Sequence, residues 1–217
     1  ATVLVGYHRN PEGAAQVAAE LAGTGHMPLR VSNGDSASIA EAAGDVSRRF
    51  GRLDILVNNG GATTPVPVAD FEALTDDIFD EIVRVNLRGP FAVVRAFRSL
   101  LETPDRAVIV NVSSIAARTG VGSNLAYCAA KGGLDTLTIA LAKLLGPKIR
   151  VLGVAPAGVD TDFVAGRSRE KLMQTARSFP LAHLTTADDV ARSILACICD
   201  LTSTTGVVVP VDEGRHL

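Results

Sequence analysis

The chain has 217 residues, 47% of them hydrophobic and 20% charged, with 21 Lys and Arg against 23 Asp and Glu for a net charge of -2. Its 22.6 kDa scale to roughly 9,500 Å² of surface when folded against about 33,000 Å² unfolded, so one compact domain over 1–217 is expected and a disordered chain is excluded. The absence of a basic excess and an aromatic content of 4% argue against a nucleic-acid partner.

Short β-branched runs alternate with Ala- and Leu-rich stretches, as in strand–helix units built around a parallel sheet. A strand is predicted over residues 2–7, then a helix capped by Asn10 with Pro11 in its first turn, closing before Gly23. The second strand covers 27–31 and the second helix runs from Asp35 and Ser36 to Phe50. After a third strand at 53–57, residues 76–101 keep helical spacing with a bend expected at Gly89-Pro90. A strand at 107–112, a helix at 123–145 and a strand at 149–154 follow. The Thr186-Ala-Asp-Asp189 capping box opens a helix over 188–200, and a last strand covers 206–211. Most of these strands are continuously apolar, which predicts a sheet covered by helices on both faces. Cys128, Cys197 and Cys199 are too few for a disulfide framework or a zinc site and read as reduced, small apolar residues. No run reaches the ~18 apolar residues of a membrane span and no leader opens the sequence, so a soluble cytoplasmic protein is expected.

Three polar motifs each follow a predicted strand, and in an open parallel sheet the carboxyl ends of the strands share the edge where ligands bind. They are Asn58-Asn59-Gly60-Gly61, Ser113-Ser114, and the run from Pro156 and Ala157 through Val159 to Thr161. Tyr127 and Lys131 stand on the next helix, four residues apart and so on one face. A unit charge near 4 Å at an effective dielectric of 20 is worth about 4 kcal/mol, roughly three pKa units, enough to bring a phenol from about 10 toward neutrality. Such a phenol can exchange a proton at physiological pH, and the Ser114 hydroxyl can bond a carbonyl oxygen as charge grows on it.

With Asn86 and the Asn111-Val112-Ser113-Ser114 run, these motifs appear in the order of the short-chain dehydrogenase/reductase family, and the chain resembles that family from Ala1 to Val211-Asp212-Glu213-Gly214. The resemblance implies a Rossmann-like doubly wound α/β fold in three layers. It implies Tyr127 as general acid/base, Lys131 as its partner and the holder of the nicotinamide ribose, Ser114 as the carbonyl donor, and Asn86 in a proton relay. Asn59, Gly60 and Gly61 would border the adenosine half of the cofactor, and Pro156, Ala157, Val159 and Thr161 the nicotinamide carboxamide. The similarity is greatest to 3-oxoacyl-acyl carrier protein reductases, which implies reduction of a ketone, 3-oxoacyl thioesters among them, or oxidation of a secondary alcohol. The substrate would be a small carbonyl or alcohol or a carrier-bound acyl chain, and the assembly a homotetramer packed through the helices at 76–101 and 123–145.

The sequence departs from the family in several places. No Thr-Gly-x-x-x-Gly-x-Gly loop follows the first strand, and the interval from Val3 to Asn58 suits the family's second strand. One strand–helix unit of ~30 residues is therefore expected to be missing at the amino end. The gap it leaves in the sheet would be about 10 Å, twice the strand spacing. Gly60, Ala157 and Glu213 replace the family's Ala, Gly and Gly, and Ser32-Asn33 stands where an Asp usually meets adenine. Residues 7–9 hold no carboxylate for a ribose 2′-hydroxyl, while Arg9 suits a 2′-phosphate, which favours NADP(H) over NAD(H). Arg167, Arg169, Lys171 and Arg177 lie in the region that covers the substrate in the family, as an attraction for acidic substrates or as a solvated lid. The missing phosphate loop also motivates an alternative, a cofactor-sensing or structural relative without turnover.

Overall fold

Asn10 and Asp35 settle where the first two helices begin. In the computed structural model, which describes residues 1–67, 69–161, 163, 164, 166 and 168–217, the Asn10 side chain accepts the Gly13 N–H at 2.9 Å. Pro11 takes the first position of α1 (Pro11–Glu20), where a missing N–H does no harm. Asp35 accepts from Ala37 and Ser38 to open α2 (Ser36–Phe50), and Gly51 ends it at φ 66°, a left-handed conformation that a Cβ disfavours. The strands before these helices, β1 (Leu4–Tyr7) and β2 (Met27–Arg30), pair in parallel. Arg167 of the basic stretch lies outside the described residues.

Four more parallel strands form a second sheet in the order β3 (Ile55–Asn58), β4 (Ala107–Val112), β5 (Ile149–Pro156), β6 (Val208–Val211). All of β4 but Val112 and all of β5 but Arg150 is buried, as continuous apolar runs require when both faces are covered. On one face Ile109 and Val151 pack with Ile39 and Val46 of α2, Phe97 of α4 (Gly89–Leu101) and Leu141 of α6 (Leu125–Leu145). On the other, Val108, Val110, Leu152 and Val154 meet Cys197, Val190 and Ile194 of α8 (Ala187–Cys199). The three layers are those of a Rossmann-like α/β fold.

Among the described residues β1 bonds only to β2, and β3 only to β4, so six parallel strands make two sheets. Leu4, Leu29 and Leu56 nevertheless share one apolar cluster with α2 and α4. Ile55 and Val57, on the opposite face of β3 from Leu56, stay 37% and 38% exposed. The interruption expected in the sheet lies at this place.

The helix expected to bend at Gly89-Pro90 changes one turn earlier. A π-helical turn over Arg84–Arg88 joins α3 (Asp76–Val83) to α4, and the Gly89 N–H reaches back five residues to the Arg84 carbonyl. Pro90 offers no N–H to the Asn86 carbonyl and its ring would crowd that oxygen, so the wider turn forms upstream. α5 (Ala116–Thr119) forms between Ser114 and α6, where no element is predicted, and α7 (Arg169–Ala176) forms within the basic stretch. Neither short run carries an apolar stripe long enough to announce a helix. The last strand begins two residues later than expected because Gly206, at φ 73°, turns the chain. No helix among the described residues is long and apolar enough to cross a membrane.

Candidate active site

β3, β4 and α6 are tied together near the carboxyl ends of the strands by a polar thread through the core. Asn58 donates to Asn111 at 2.9 Å, and Asn111 donates to Thr138 of α6 at 2.9 Å, all three buried. Buried amides persist only when satisfied, so this chain of bonds locks β3, β4 and α6 together just before the motif loops. Those loops then leave the same edge of the sheet.

α6 starts at Leu125 because the buried Asn124 caps it, accepting the Tyr127 N–H at 2.7 Å while donating to the Thr64 carbonyl at 2.7 Å. The cap places Tyr127 and Lys131 on the inward face, 9% and 4% exposed. The Tyr127 ring packs with Ile82, Ala116 and Ala130, and lies 5.9 Å from the Phe163 ring, centroid to centroid. The Lys131 ammonium stands 5.7 Å from the centre of the Tyr127 ring and donates to the Val112 carbonyl at 2.7 Å. Burial pushes Lys131 down to about 8, opposed by Asp135 one turn on. It therefore remains mostly cationic at neutral pH. The same burial raises the Asp135 carboxyl, against the pull of Ser113, Arg118 and Lys131. The Ser114 hydroxyl oxygen accepts the Ala116 N–H at 3.2 Å, which leaves its own proton to donate elsewhere.

Asn86, fully buried in the π-helical turn, donates to the Ala62 and Ile82 carbonyls at 2.7 and 2.9 Å and accepts the Ala62 N–H at 3.4 Å. It clamps the loop after β3, and a Cβ on Gly61 would stand 2.8 Å from its Oδ1. Asn33 donates to the Gly60 carbonyl at 2.9 Å and so joins the loop after β2 to the loop after β3, while Ser32 is buried beside it. Arg84 and Arg88 both donate to the Gly34 carbonyl. Asn59 is exposed at this rim, as is Arg9 beyond β1, which has no carboxylate partner among the described residues. Pro156 ends β5 with its carbonyl bonded to Ile115 N–H, and Ala157 donates to Val211. Val159 is half-buried and Thr161 exposed in the loop beyond.

A family model described as enoyl-(acyl carrier protein) reductase matches residues 1–216. The chain belongs to the short-chain dehydrogenase/reductase family. The 3-oxoacyl-[acyl-carrier-protein] reductase of Thermotoga maritima is 33% identical over 183 residues, covering 83% of this chain and 73% of that protein. The L-xylulose reductase of Bos taurus is 38% identical over 169 residues, 76% of this chain and 68% of its own. A solved short-chain dehydrogenase/reductase of Brucella melitensis, described as a glucose/ribitol dehydrogenase, superposes with a TM-score of 0.89 at 25% identity over 99% of this chain and 86% of its own. The chain is accordingly an NAD(P)-dependent oxidoreductase.

In this short-chain dehydrogenase/reductase the residues singled out from the sequence lie on the loops after β1 to β5, in the π-helical turn and on α6, at the carboxyl ends of the strands of the two sheets. Sequence reasoning missed Asn124, whose signal is the ordinary one of a cap before an apolar helix, and Phe163, whose approach to Tyr127 has no local signal. Cys128, next to Tyr127, is half-buried with its thiol raised by burial, in keeping with a packing role, whereas Cys199 is exposed rather than packed.

Proposed function

We propose that this short-chain dehydrogenase/reductase interconverts a ketone and a secondary alcohol with NADP(H), 3-oxoacyl thioesters being the first class to try. The observation that carries the reading is the buried Lys131 ammonium beside the Tyr127 ring, at the end of the strand that also delivers Ser114. Nothing in the packing of a stable core calls for an ammonium there.

The donor set suits the nicotinamide end of a cofactor. Lys131 has three N–H groups and spends one on Val112, leaving two for ribose hydroxyls. Pro156, Ala157, Val159 and Thr161 offer backbone and hydroxyl groups at the adjoining rim. Asn59, Gly60 and Gly61 would border the adenosine half, with Ser32 and Asn33 beneath it, and Arg9 would meet a 2′-phosphate, which supports NADP(H). The cofactor, when bound, supplies the hydride that adds to the carbonyl carbon. Tyr127 gives its phenolic proton to the carbonyl oxygen, Ser114 donates a hydrogen bond to the same oxygen, and Lys131 stabilises the phenolate left behind. Asn86 holds the Ala62 backbone and takes part in returning the proton. The loss of NADPH absorbance over a panel of ketones tests this. Tyr127→Phe is expected to lower kcat/KM by roughly 10² to 10⁴-fold, the range of general acid catalysis; rates equal to the uncatalysed background in both proteins would leave a cofactor-binding relative without turnover. For the assembly we favour a homotetramer in the cytoplasm, with α4 and α6 as packing faces, supported by the exposed Phe91 and Ile139 on them.

A further inference from the structure

A cavity of about 290 Å³ opens beyond the carboxyl edge of β5, between α7 and the carboxyl-terminal turn. Leu172, Phe179 and Leu184 give it apolar walls, and Lys171 and Arg215 bring positive charge from two parts of the chain 44 residues apart. Gly158, in the loop that also carries Phe163 to the Tyr127 ring, lies on its wall as well. One segment of chain therefore borders both the phenol and the cavity.

Arg215 is built into this position. Asp212, 4% exposed, accepts the N–H groups of Gly214 at 3.2 Å and His216 at 2.8 Å, and contacts the His216 imidazole Nδ1 at 2.8 Å. Its own carbonyl accepts the Arg215 N–H at 2.9 Å. These bonds close a turn that directs Arg215 across the Phe179 ring, the guanidinium carbon 5.3 Å from the ring centre. The Phe179 segment is held in turn, since Leu181 donates to the Glu213 carbonyl at 3.2 Å and Pro180 lies where a Cβ on Gly214 would be. Of the neighbouring charged groups, Arg169 pairs with Asp160 at 2.9 Å, and the Glu213 carboxylate lies 3.8 Å from the His183 imidazole. Lys171 and Arg215 have no carboxylate partner among the described residues. A guanidinium over an aromatic ring and an ammonium, neither ion-paired among the described residues and both beside apolar walls, suit an anion on a hydrocarbon chain.

We propose that this cavity selects substrates bearing an anionic group, carboxylate or phosphate, on an apolar chain beyond the reacting carbonyl, with Lys171 and Arg215 on the anion. The word substrate rests on the carbonyl-reductase reading above; the anion site itself does not. Calorimetric titration of the full chain with 4-phenylbutanoate, 3-phenylpropylphosphonate and neutral 4-phenylbutanamide tests the site. At least one anion is expected to bind about tenfold more tightly than the amide, a preference worth one decade in Kd, and the better of the two names the source. Arg215→Leu with Lys171→Met brings the ratio to about one, Arg215→Lys retains most of it, and Tyr127→Phe does not change it. Equal affinity for anions and amide in the unaltered protein, or a ratio that survives the double substitution in a folded protein, overturns the proposal. In turnover, the kcat/KM preference for 5-oxo-5-phenylpentanoate over its methyl ester falls about tenfold in Arg215→Leu. Anion preference in binding without turnover of any ketone removes the redox reading and leaves the site standing.

Discussion

At Lys131 an ammonium lies 4% exposed, with burial holding it at about 8 against 10.5 for the free side chain. Below about pH 8 it is charged in both folded and unfolded chains, so the folded state bears the full penalty of burying the charge, about 3 kcal/mol from 2.5 pKa units. From about 8 to 10.5 the unfolded chain binds the extra proton, and stability rises with pH. Replacing Lys131 by Met removes the penalty and also a hydrogen bond worth about 1 kcal/mol to Val112. Lys131→Met is therefore expected to be about 1–2 kcal/mol more stable than the unaltered protein at pH 7, with the advantage shrinking above pH 8, while the proposed carbonyl reduction is lost. Urea midpoints at pH 7 and pH 9.5 check the sign; a destabilised Lys131→Met at pH 7 would mean that the ammonium is held by the fold rather than against it. Tyr127 and Lys131 were legible as a pair because four residues on a helix fix a shared face. That the pair is buried could not be read from the pair itself.

Among the elements, α4 presses directly on the loop after β2. A Cβ built on Gly89 would stand 2.7 Å from the Asn33 Cβ and 2.8 Å from the Asn33 carbonyl oxygen, and Asn33 holds the Gly60 carbonyl. In an exposed helix Gly→Ala stabilises by about 1 kcal/mol. Here the sign reverses, because backbone must move: Gly89→Ala is expected to destabilise by about 1–3 kcal/mol, the range for overpacking. The same change loosens the loop after β3, so KM for the nicotinamide cofactor rises too. Thermal melting and cofactor titration of Gly89→Ala measure the two effects, and a rise in melting temperature would refute the contact. From the sequence, Gly89-Pro90 read as a bend within one helix; the π-helical turn before it and its bearing on Asn33 follow from where α4 meets the loop after β2.

The whole molecule exposes 11798 Å², about a quarter above the roughly 9,500 Å² expected of a compact chain of this mass. Part of the excess belongs to β3, whose Ile55 and Val57 face solvent where the two sheets part, and part to Phe91 on α4 and to Ile139 and Leu144 on α6, 42%, 44% and 65% exposed. For the proposed tetramer, Phe91→Glu and Ile139→Glu are each expected to shift sedimentation toward smaller species without loss of helical circular dichroism, because a buried unpaired carboxylate opposes association. An unaltered protein that sediments as a monomer at micromolar concentration would end that assignment.

The sequence alone determined the features that depend on a few neighbouring residues: the caps at Asn10, Asp35 and Thr186, the alternation of strands and helices, and the placing of Tyr127 and Lys131 on one helix face. Their energies are local, set by hydrogen bonds and side-chain spacing within a turn or two. The tertiary structure alone decided which distant groups meet. Asn33 reaches Gly60, Phe163 reaches Tyr127, and Arg215 faces a cavity with Lys171. Such contacts depend on register and packing summed over the whole core, and no short stretch of residues encodes that sum.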